Sequence, residues 1–77
     1  MKTQSFQLRG EFIELDRLLK VEGVCSSGGE AKMLVAAGSV RVDGVVELRR
    51  SRKVRAGQRV ETAAIRIDVL AAAAGPQ

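Results

Sequence analysis

The sequence predicts an α+β fold: two short helices packed on a small, mostly antiparallel curved sheet. Three observations predict it. Helical spacing of apolar residues is confined to two short stretches, residues 14–22 and 27–37. An Asp-Gly pair, Asp43-Gly44, stands between the β-branched residues Val40, Val42, Val45 and Val46. Strand patterning then dominates residues 59–69, so helices and strands are grouped along the chain rather than alternating as βαβ units.

The elements follow in order. Residues 4–8 alternate so that Phe6 and Leu8 share one face of a short strand. From Glu14 to Glu22, Leu15, Leu18 and Leu19 recur at helical spacing, Glu14 and Asp16 favour the positive N-terminal end, and Gly23 stands where a left-handed terminating residue is wanted. Ser27-Gly28-Gly29-Glu30 has the spacing of a capping box, in which Ser27 accepts from the Glu30 amide while the Glu30 carboxylate reaches back. Ala31, Leu34 and Val35 form the apolar stripe of this second helix, which runs to Ala37 and ends at Gly38. Asp43-Gly44 makes a tight hairpin, because a type I′ turn needs positive φ at both central residues. Ala56-Gly57-Gln58 reads as a turn, 59–62 as a strand, Ala63-Ala64 as a connection, and 65–69 as a strand with Ile65, Ile67 and Val69 facing inward. With Leu15, Leu18, Leu19, Ala31, Leu34, Val35, Val40, Val42 and Val60, these three supply the expected core. Residues 1–70 are expected to form one domain and 71–77 a flexible C-terminal tail, whose four alanines are too few to nucleate a helix.

Composition narrows the function. A chain of 77 residues has room for one domain, with about 60% of its unfolded surface buried. It contains no His, Tyr or Trp, so the commonest general base and metal ligand is missing and only Phe6 and Phe12 are available for stacking. Cys25 and Ser26-Ser27 have no histidine partner, and Glu14 and Asp16 fall on different helix faces. No catalytic residue, metal ligand or cofactor site is expected, and Cys25 reads as a small packed residue. A lone cysteine and the absence of a visible secretory signal lead us to expect a cytoplasmic protein. No apolar run approaches the ~20 residues of a membrane span, so no membrane association is expected.

The charge is local. The net charge is +4, but Arg49, Arg50, Arg52, Lys53, Arg55 and Arg59 put +6 into eleven residues while the rest of the chain sums to −2. Clustering of one sign costs folding free energy through self-repulsion, which a polyanion relieves, and the arginine fork matches phosphate. Nucleic acid is the expected partner, with a solubilising loop, an acidic protein or an anionic surface as the other readings of the run. A second candidate is the turn before helix two: the amides at Ser27, Gly28 and Gly29 form an anion site with Lys32 one turn on, although the glycines equally serve a tight interhelical turn. Lys20 and Arg17 read as a solvated helix face. Arg41 either extends the basic surface or pairs with Glu47.

The pattern Leu15-x-x-Leu18-Leu19, Ser27-x-x-x-Ala31-Lys32-x-Leu34-x-x-x-Gly38-x-Val40-x-Val42-Asp43-Gly44 and Val54-x-x-Gly57-x-x-Val60 resembles the small RNA-binding domain of ribosomal small-subunit protein four, the α-L motif. It is especially similar to the stand-alone bacterial, YbcJ-like version. The resemblance covers residues 14–60 and implies that the two helices and the following loop present a basic surface to structured RNA. It carries RNA contacts onto Lys32, Arg41 and the loop from Arg49 to Arg55. Gly28 and Lys32 stand where many members carry Arg, which implies more work for the loop or for the Gly28 and Gly29 amides.

The expected function is therefore a monomeric, non-catalytic protein that holds structured RNA, of the ribosomal or transfer RNA class, through phosphate contacts, with a ribosomal subunit as a further candidate partner. A helix-turn-helix DNA reader is the competitor, but the second helix offers only Glu30 and Lys32 as charged groups and no Arg, Asn or Gln for base edges. An adaptor docking on an acidic protein surface is the third reading.

Overall fold

Nine elements follow from the patterning in the computed structural model, which describes residues 2–72: β1 (Lys2–Gln7), β2 (Phe12–Glu14), α1 (Leu15–Val21), α2 (Gly28–Ala36), β3 (Arg41–Val42), β4 (Val45–Val46), β5 (Lys53–Arg55), β6 (Arg59–Glu61) and β7 (Ile65–Leu70). Five strands form one sheet in the order β1-β7-β6-β3-β4, and β2 pairs with β5 in a separate two-stranded ribbon. All pairings are antiparallel except β1 with β7, which run parallel from Lys2↔Ile65 to Gln7↔Leu70. The α+β class holds, with the helix pair ahead of the hairpin as expected. The tail expected at 71–77 lies, beyond Ala72, outside the described residues.

Local chemistry explains the turns. Asp43 and Gly44 adopt φ of 52° and 82°, the left-handed pair a type I′ turn requires. The Asp43 carboxylate also accepts from the Arg59 amide at 2.8 Å and from Gln58 Nε2 at 3.3 Å, which bolts the hairpin tip to the start of β6. Ser27 accepts from the Glu30 amide at 3.1 Å, so half of the expected capping box forms. The other half does not: the Glu30 carboxylate accepts from the Ser26 hydroxyl at 2.8 Å, a nearer donor in this tight turn than the Ser27 amide.

The core joins α1 and α2 to the inner face of the large sheet. Leu15, Leu18, Leu19, Ala31, Val35, Val40, Val42, Val60, Ile65, Ile67 and Val69 are buried as expected. Leu34 is half-buried at the edge of this cluster rather than within it, and Leu8, Cys25 and Val54 complete it. Val54 is the informative addition. It faces inward from β5, opposite Ile13 of β2, and so turns part of the basic run into core.

Candidate nucleic-acid interface

The basic segment is a scaffolded loop leading into a strand. A helix leaves its first amides without intrahelical partners, and α1 has no side-chain cap at Glu14. Two of its amides are instead met by the loop's own backbone: Leu15 N–H donates to the Arg52 carbonyl and Asp16 N–H to the Arg50 carbonyl, each at 2.9 Å. The loop main chain thus serves as the cap of α1, and the following residues continue as β5 against β2.

Glu47 organises the side chains. It is 9% exposed at the start of the loop and accepts from the Arg49 amide at 3.0 Å, from Arg49 Nε at 3.4 Å and from Arg52 Nη1 at 2.7 Å. The Arg49 backbone N–H above all, with the two guanidiniums, holds its carboxyl below the usual carboxylate range against the opposing effect of burial. Arg50 approaches Asp16 at 3.8 Å and Arg59 pairs with Asp68 at 3.0 Å. Four of the six clustered cations therefore meet three carboxylates contributed from outside the segment, so the fold relieves only part of the repulsion expected from the sequence. Exposed pairs of this kind are worth little, and the Arg49 and Arg50 side chains remain 74% and 56% exposed.

The last two cations of the cluster have a different neighbour. Lys53 Nζ lies 4.9 Å and the Arg55 guanidinium carbon 5.5 Å from the centroid of the Phe12 ring, within reach of cation–π attraction. This arrangement was hidden in the sequence because β2 and β5 are three residues each, too short for periodicity to register. The polar-apolar-polar order Lys53-Val54-Arg55 was the available signal.

At the start of α2, helix geometry orphans the amides of Gly28, Gly29 and Glu30, of which Ser27 satisfies only that of Glu30. Lys32 follows Gly28 by one turn on the same helix face and is exposed. Lys20, read from the sequence as solvated, reaches across from α1: its Nζ lies 4.0 Å from where a side chain at Gly28 would begin. An ammonium from the neighbouring helix thus stands beside the position where many α-L members carry an arginine. Arg41 projects from β3, cross-strand from Val46 and Glu61, and does not pair with Glu47, whose oxygens Arg49 and Arg52 occupy. Cys25 is buried beneath this turn, where burial and then the nearby Glu30 carboxylate push its thiol upward, consistent with a packed residue.

Comparison with known proteins agrees with this architecture. The S4 domain family matches residues 6–70. YbcJ of Escherichia coli K12 is 48% identical over 59 residues, spanning 77% of this chain and 84% of that protein, and YbcJ of Shigella flexneri matches to the same extent. The solution structure of Escherichia coli YbcJ, described as an α-L motif involved in RNA binding, is 43% identical with a TM-score of 0.62, covering 91% of this chain and 87% of that one. The two helices and mixed sheet of this chain are thus those of the α-L fold, and the chain belongs to the S4 domain family.

Proposed function

We propose that this chain is a non-catalytic RNA-binding protein of the cytoplasm that holds structured RNA, of the ribosomal or transfer RNA class, through phosphate contacts. The observation that carries this reading is the loop whose carbonyls cap α1 while Arg49 and Arg50 stay exposed: cations held by backbone bonds lose less conformational freedom on meeting phosphate than cations on a flexible tail. Arg52, just before β5, and Lys53 and Arg55 on it extend the surface. Ser27, Gly28 and Gly29 offer backbone amides at the start of α2, with Lys20 and Lys32 beside them and Arg41 at the hairpin. Phosphates and 2′-hydroxyls presented by a folded RNA match such a surface better than base edges in a DNA major groove, because α2 carries no Arg, Asn or Gln.

The test is a fluorescence-anisotropy titration of a labelled RNA hairpin and a matched DNA duplex at several salt concentrations. RNA is expected to bind more tightly, with log affinity falling against log salt at a slope of roughly −3 to −4 for four engaged cations. The triple variant Arg49→Ala, Arg50→Ala, Lys53→Ala keeps the Arg52–Glu47 bond and is expected to flatten that slope by roughly 3. Equal binding of RNA and DNA, or an unchanged slope in the triple variant, overturns the assignment.

A further inference from the structure

The chain has two aromatic residues, Phe6 and Phe12, and the fold brings both to one groove. This groove, about 420 Å³, lies between β1, β2 and α1, with Leu8, Ile13 and Val21 completing its apolar wall. Its volume falls within the ~300–1,000 Å³ of small-ligand sites. Phe12 and Val21 are 39% and 57% exposed there, so the wall is open to an occupant rather than sealed by the core. Arg9 and Arg17 stand at its rim and make no ion pair among the described residues. One carboxylate, Glu14, also lines the rim and sits cross-strand from Lys53.

The groove adjoins β5 of the basic segment through one side chain, Phe12. Phe12 is paired with Arg55 across the β2–β5 ribbon, so the ring that lines the groove is the one against which Lys53 and Arg55 rest. An occupant suited to this surroundings has a flat apolar body and a phosphate on each side. A nucleotide has that shape, and stacking on an aromatic ring is tolerant of base identity.

We infer that the groove receives one unstacked nucleobase of the bound RNA, with Arg9 and Arg17 taking one flanking phosphate and Lys53 and Arg55 the other. This deepens the RNA-binding reading and rests on it. The preferred RNA is then a duplex interrupted by a bulged or looped-out nucleotide, and the charged loop holds the adjoining helix.

The test compares two RNA hairpins of equal stem sequence, one fully paired and one with a single bulged 2-aminopurine. The wild-type chain is expected to bind the bulged hairpin about tenfold more tightly, with quenching of the 2-aminopurine fluorescence on saturation. Phe12→Leu is expected to bring the two affinities to within about twofold while Phe12→Tyr keeps the preference. Val21→Gln, at an exposed helix position that does not threaten folding, is expected to reduce the preference too. Equal affinity of the wild-type chain for both hairpins, with a steep salt slope, sinks the groove assignment and leaves the RNA-binding reading standing. Failure to bind either hairpin takes both down. A lower sedimentation mass for Phe12→Leu than for the wild-type chain, with no change in bulge preference, shows that a second copy covers the groove and overturns the inference.

Discussion

Glu47→Gln removes a single charge at the point where the basic loop begins, and the structure allows its cost to be worked out. Three donors reach the carboxylate: the Arg49 amide at 3.0 Å, Arg49 Nε at 3.4 Å and Arg52 Nη1 at 2.7 Å. A glutamine keeps one carbonyl oxygen, which can still accept from the Arg49 amide, but it turns an NH₂ toward one of the guanidiniums. A charge-assisted bond is worth about 1.5–3 kcal/mol when desolvated, whereas exposed ion pairs give roughly 0.2–1 kcal/mol. Arg52 is 32% exposed and Glu47 11% at the side chain, so the expected cost lies between, at about 1 kcal/mol. For a domain this small, that lowers Tm by roughly 4–8 °C. The effect has a sign in pH. Because the folded state holds the Glu47 carboxyl below its ordinary 4.5, its contribution is complete above that value and disappears as pH falls through the lowered folded value. Thermal unfolding followed by circular dichroism at neutral pH and at successively lower pH should show the gap between wild type and Glu47→Gln closing as the native carboxylate takes up its proton. A gap that survives undiminished in acid, or no gap at neutral pH, would refute the claim that this charge holds the loop.

Three further outcomes are expected. Leu18→Ala, at a side chain with no exposed surface, should destabilise by about 2–5 kcal/mol, enough to leave much of a 77-residue domain unfolded at 37 °C in a urea or heat titration. Asp43→Ala should cost about 1–2 kcal/mol by losing the bond to the Arg59 amide and forcing alanine into positive φ, while Asp43→Gly should recover the backbone part of that loss. Cys25, buried with its thiol pushed upward, should react with iodoacetamide at neutral pH far more slowly than in denaturant; equal rates would show the turn above it to be open.

Reading from sequence succeeded wherever one residue type answers one local demand. Asp43-Gly44 is legible because two consecutive left-handed residues accept few alternatives, and Ser27 because a short hydroxyl before a helix has one obvious acceptor task. Partnership was less legible. Ile65, Ile67 and Val69 announce which face of β7 is buried, but alternation carries no information about the neighbouring strand, so the parallel pairing with β1 could not be read. Likewise the +6 segment reads as unrelieved repulsion until Glu47, Asp16 and Asp68 are folded against it. Two isolated phenylalanines, six residues apart, gave no sign that they share one groove.

The cap on α1 divides the basic loop into two kinds of information. Its course is written in carbonyls at residues 50 and 52, which every amino acid possesses, whereas its electrostatic character is written in side chains that take no part in those two bonds. A sequence of this architecture can therefore exchange arginines for lysines or neutral residues along the outer edge without redirecting the main chain. Under the proposed function, affinity for phosphate then becomes an adjustable quantity while placement stays fixed.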